Sequence, residues 1–160
     1  MIKPGLFILS LCFLVGQPIA ESCFAQAKED KRVKQLENEK LKLDRTRDPA
    51  NRAKSLMKIA EITLSYTSDA ANAGDFSRMN LYVEQYRQAV TDARDTMMRS
   101  GFDPHKKSGG YKAVEIALRK QIRSLQDIAR LLTVEDRHPI DQTIELTMKI
   151  RDDFIRALFY

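Results

Sequence analysis

Apolar residues beyond Lys28 recur at a spacing close to 3.5, and nowhere do they alternate with polar ones for more than a few positions. That period predicts helices and no strands. The clearest stretch runs from Asp75 to Ser100, where Phe76, Met79, Val83, Tyr86, Val90, Ala93 and Met97 fall on one seam. Asp75 is a suitable N-cap, because its carboxylate can accept from unpaired backbone N–H groups, and Gly101 can supply the left-handed residue that ends a helix. The preceding segment opens at Asp48-Pro49, a cap followed by proline at a position that needs no N–H donor. Its seam is Ala53, Met57, Ala60, Leu64, Thr67 and Ala71, widened by Leu56, Ile59 and Ile62, and Gly74 closes it. Only a few residues around Gly74 separate the two helices, which predicts an antiparallel helical hairpin.

A break from Gly101 to Gly110 leads into a second hairpin. Its first helix is expected from about Tyr111 to Thr133, with Tyr111, Val114, Leu118, Ile122, Leu125, Ile128 or Ala129, and Leu132 inward. Glu135 to His138 is the turn. Pro139 then opens a last helix with Ile140, Ile144, Thr147 or Met148, Arg151, Phe154 and Leu158 expected inside. Helices of such length span roughly 30 to 37 Å, and matched lengths with short turns favour an all-α, antiparallel up-down-up-down four-helix bundle over residues 48–160. Residues 28–47 form a charged helical extension, with eight basic and five acidic side chains and a thin stripe of Val33, Leu36, Leu41 and Leu43. It reads either as a solvated extension or as an arm that docks through Val33, Leu36 and Leu43.

Residues 1–27 have a different grammar. Lys3 is followed by no charge until Glu21, and Gly5 to Gly16 is an apolar run of twelve residues. A membrane-spanning helix needs about 20. Gly16, Gln17 and Pro18 break the run, Ala25-Gln26-Ala27 offers small residues to a signal peptidase, and the chain becomes charged at Lys28. This is the layout of a secretory signal peptide cleaved after Ala27. The competing readings are an uncleaved anchor from Pro4 to Ala20 and a lipid attached to Cys23, the latter opposed by the carboxylate of Glu21 close before it. The expected destination is periplasmic or secreted.

The chain has 160 residues, room for one domain of ordinary size, with 31% charged and 43% hydrophobic residues. Cys12 and Cys23 both precede the expected cut, so the exported chain would contain no cysteine and no cysteine nucleophile. The two histidines, His105 and His138, fall in turns beside prolines, and no G-x-S-x-G elbow accompanies them. Glu135 to His138 matches Glu-x-x-His once, at a turn and without the second copy a dinuclear bundle site requires. Lys106-Lys107-Ser108-Gly109-Gly110 precedes a helix and could hold an anion, but no strand or phosphate-loop pattern goes with it, and Gly-Gly reads first as a flexible loop. No cofactor, metal or catalytic constellation is expected.

The net charge of +5 is uneven. It concentrates in residues 28–47 and 101–138, while 48–74 and 75–100 are each neutral. Lys112, Arg119, Arg123 and Arg130 share one side of their helix, a candidate basic face for a partner. For an exported protein an acidic envelope component or an acidic protein partner suits that face better than nucleic acid, for which no recognition motif is present. The expectation is therefore a non-catalytic, partner-binding bundle. The alternative is a carrier holding a small molecule or anion in the bundle interior among Thr67, Tyr86, Gln121 and Arg151. The signal reading predicts that intact-mass analysis of protein from its host's envelope finds a chain beginning at Lys28. A lipid adduct on Cys23 would contradict it.

Overall fold

A computed structural model describes the backbone from Ile19 to Tyr160 and side chains from Glu29 onward. Those residues form five helices, α1 (Ile19–Arg45), α2 (Pro49–Asn72), α3 (Phe76–Met98), α4 (Ser108–Leu131) and α5 (His138–Phe159), with no strand among them. Of the expected signal segment, residues 1–18 lie outside the described residues, including Cys12. The backbone of α1 is helical through Ala25-Gln26-Ala27 without interruption.

The helix ends follow their local chemistry. The Asp48 carboxylate accepts the Asn51 N–H at 2.9 Å and Pro49 is the first residue of α2. Asp75 accepts the Arg78 N–H at 3.0 Å. Gly74 and Gly101 hold φ of 68° and 69°, the left-handed region where a side chain is disfavoured. The seams of α2 and α3 lie where the spacing put them, except that Phe76 is exposed.

Two elements differ from expectation. The last helix buries Ile140, Thr143, Thr147, Ile150 and Phe154, not Arg151, and Ile144 and Leu158 are only half-buried. Thr147 is inside as expected, and Thr143 accounts for the shift. Thr143 and Thr147 donate to the carbonyls of Pro139 and Thr143, both at 2.7 Å, so their hydroxyls are satisfied and the rest of the side chain packs as an apolar group. The second difference is the start of α4, three residues before Tyr111. Ser108, Gly109 and Gly110 form its first turn instead of a loop. Gly110 is buried, and a Cβ there would stand 2.9 Å from both the Ala50 Cβ and the Met97 Cε. The glycine is present for close approach.

That contact sets the neighbours. α4 starts beside the start of α2 and the end of α3, with the Tyr111 hydroxyl 3.1 Å from the Met97 carbonyl and 3.2 Å from that of Phe102. From there α4 runs alongside α2 in the same direction: Gln121 donates to the Met57 carbonyl at 2.9 Å and Lys120 meets Glu61 at 2.7 Å. Likewise α5 follows α3 in the same direction, from Tyr86–Thr147 to Arg94–Asp153. α2 packs on α3 and α4 on α5 across their turns, whereas α3 barely touches α4. The connection 99–107 therefore leads to a helix that packs on α2 and α5 and hardly on α3. Residues such as Tyr86, Leu118, Leu125, Ile140, Ile150 and Phe154 are fully buried between the helices, each contributing about 1.5–3 kcal/mol through its apolar surface.

The charged extension packs on its own chain. α1 lies against α2, and Leu43 near its end also borders a concavity with Asp92, Asp95 and Thr96 of α3. Arg32 pairs with Asp69, bonds to Ser65 at 3.2 Å and covers the Tyr66 ring at 4.6 Å, while Tyr66 stacks on Tyr82 of α3. At the other end Arg52 donates to the Leu43 carbonyl at 2.7 Å. Leu43 reaches the core, and Val33 remains 41% exposed.

Gly109 and Gly110 provide a paired test, since open space surrounds the first. Gly110→Val should lower unfolding free energy by about 1–3 kcal/mol through overpacking. Gly109→Ala should raise it by about 0.5–1 kcal/mol by helix propensity. Urea unfolding followed by circular dichroism measures both.

Candidate binding surfaces on α4

Helical phase gives α4 three surfaces. Its inner face carries Tyr111, Val114, Leu118, Leu125 and Ile128. On the side toward α5, Glu115 is 13% exposed and receives the Arg151 Nε–H at 2.9 Å, with Arg119 at 3.8 Å. Arg151, expected inside, thus reaches across to a carboxylate on the neighbouring helix.

Lys112, Arg119, Arg123 and Arg130 are all exposed on the outward side, as the spacing requires. Arg130 pairs with Asp127 at 2.7 Å. No carboxylate among the described residues is within ion-pair distance of Lys112 or Arg123. Ile116, 55% exposed, stands between this stripe and the third surface.

The third surface is a cleft along the seam of α2 and α4. It was not visible in the sequence, because it depends on which helices become neighbours. Ala113 and Ala117 leave a concavity of about 340 Å3 floored by Met57 and Val114 and rimmed by Lys54, Lys58 and Lys120. A second, of about 480 Å3, continues past Ser124 to Ile128 and Leu131. Glu61, Lys120 and Gln121 line both. Gln121 is buried, at 3% exposure, and its Oε1 has no hydrogen-bond partner. Arg32 Nε is the other buried side-chain polar atom of which this is true among the described residues.

The remaining polar interior is self-contained. Thr67 donates to the Thr63 carbonyl at 3.0 Å, and the Tyr86 hydroxyl meets Thr147 at 3.4 Å. Burial pushes the Tyr86 phenol well above its ordinary range, so it stays protonated. His105 and His138 are exposed. No group of three or more His, Cys, Asp or Glu among the described residues is placed to hold a metal ion, and no helix there is long and apolar enough to cross a membrane. No protein-family model, curated protein or solved structure matches the chain.

Glu61 sits between two cations. Its hydrogen bond from Lys120, then that from Lys58, hold the carboxyl below its ordinary value of 4.5, against a smaller opposing effect of burial. A carboxyl whose folded-state pKa is lowered adds stability above its unfolded value and loses it as pH falls through the folded one. The stability difference between wild type and Glu61→Gln should therefore shrink as pH is lowered from about 6 to about 3. Urea titrations at several pH values read this out, and a difference that grows toward acid would contradict the assignment.

Proposed function

We propose that this is an exported, non-catalytic helical-bundle protein that acts by binding an acidic partner in the cell envelope or outside the cytoplasm. In this reading residues 48–160 form an up-down-up-down four-helix bundle with one diagonal connection, and the outward face of α4 meets the partner. The observation that carries it is the exposed stripe of Lys112, Arg119, Arg123 and Arg130, in which Lys112 and Arg123 lack carboxylate neighbours among the described residues. Unneutralised positive charge on a rigid helix steers and orients an acidic surface. The secretory grammar of residues 1–27 supports the compartment, and the absence of a nucleophile–base constellation in the sequence supports a binding role.

Carriage of a ligand inside the bundle has less in its favour. The buried hydroxyls of Thr67, Thr147 and Tyr86 are occupied by one another or by carbonyls, which leaves a guest few groups to bind.

Reversing Arg119 and Arg123 to Glu should weaken salt-sensitive association with the host's envelope fraction by at least about tenfold, with the helical circular dichroism spectrum unchanged. Associations that survive the double reversal intact would contradict the reading.

A further inference from the structure

The cleft between α2 and α4 is separate from the outward stripe and has its own chemistry. We propose that it binds an amphiphilic anion of the N-acyl amino acid class, with an acyl chain, an amide N–H and a terminal carboxylate. Three observations specify those three parts.

The acyl chain follows from the floor and its length. α2 and α4 run side by side, and α1, whose Arg32 reaches Ser65 and Asp69 beside the second concavity, does not cross the seam to α4. Met57 and Val114 form the floor of the first concavity, and Ile116 beside it is 55% exposed. From Lys54 to Asp69 the trough follows α2 for about 22 Å, long enough for an extended chain of twelve carbons; its far half offers Leu64, Ile128 and Leu131 to the chain, and Asp69 and Asp127 there keep the anionic head at the lysine end.

The carboxylate follows from the rim. Lys54, Lys58 and Lys120 border the first concavity with Glu61 as the one carboxylate among its lining residues, an excess of positive charge at the edge of an apolar floor. A single anionic head group at that edge offsets one of the two surplus positive charges while the chain lies inward.

The amide N–H follows from Gln121. Only its –NH2 can donate to the Met57 carbonyl, which fixes the orientation of the side chain and leaves Oε1 as an acceptor. That oxygen is buried and unpaired on a residue lining both concavities. A buried acceptor without a donor is costly and is relieved by an N–H or O–H, not by an ester or a second carboxylate. An N-acyl amino acid presents such an N–H next to its carboxylate, and Gln121 lines the first concavity together with Lys54, Lys58 and Lys120.

Isothermal titration calorimetry of the full chain tests this with N-dodecanoylglycine below its micelle concentration. Dodecanoate, which lacks the N–H, and dodecyltrimethylammonium, which inverts the charge, are the comparisons. One saturable site is expected, binding N-dodecanoylglycine about fivefold or more tighter than dodecanoate and at least about tenfold tighter than the cation. Gln121→Leu should erase the preference for the N-acyl compound while dodecanoate binding persists. Ala117→Phe should fill the cleft and remove both, with helical content checked by circular dichroism. The Arg119/Arg123 reversal should leave the titration unchanged, which separates this site from the partner-binding face. Equal binding of the two acids by wild type, unaltered binding by Ala117→Phe, or no saturable heat would overturn the proposal.

Discussion

The missing side chain of Gly110 governs the arrangement of the molecule. Where it stands, 2.9 Å separates a notional Cβ from the Ala50 methyl and from the flexible tip of Met97, so a larger residue would press α4 off the start of α2. With the first turn of α4 seated there, α4 runs alongside α2 in the same direction. The Tyr111 hydroxyl reinforces the seat by bonding to the carbonyls at the end of α3 and in the connecting loop. Its ring meets Phe154 edge-on at 5.9 Å, so the same residue also anchors the end of α5.

Parallel neighbours have a consequence for the surface. α2 brings Lys54, Lys58 and Glu61 to the seam, and α4 brings small Ala113 and Ala117 with Lys120. The result is a lysine-rimmed apolar trough bridged by one ion pair. The partner faces of α4 are busy in other ways: inward it fills the core, and toward α5 it holds Glu115 against Arg151. The outward cations of the helix therefore collect on a surface that no other described helix covers, while the unpaired Gln121 acceptor is buried on a residue that lines the cleft. α1 contributes differently, tying its length to α2 through Arg32 and Arg52 and leaving the α4 side of the seam open.

Much of the helical layout was legible in the sequence, because it rests on local chemistry. Asp48-Pro49, Gly74-Asp75 and Gly101 mark helix ends through capping and backbone conformation, which depend on a few adjacent residues. The exposure of Lys112, Arg119, Arg123 and Arg130 follows from helical period alone. Gly110 was misread because a glycine pair looks the same whether it serves flexibility or close approach, and only the positions of Ala50 and Met97 distinguish the two. The inward phase of α5 was displaced because Thr143 counts as polar until its hydroxyl is seen bonded to the carbonyl one turn back. The cleft was out of reach for a third reason: it belongs to two helices separated by a whole hairpin, and no local pattern says that they adjoin.

The central claim is the parallel seating of α4 on α2 at Gly110. Nuclear Overhauser contacts in protein with labelled methyl groups test it without any substitution. The Gly110 Hα protons should show cross-peaks to the methyls of both Ala50 and Met97, and the Met57 methyl should contact Val114. Cross-peaks from Ala50 to Ile128 or Leu131, at the far end of α4, would instead place the two helices antiparallel and contradict the account.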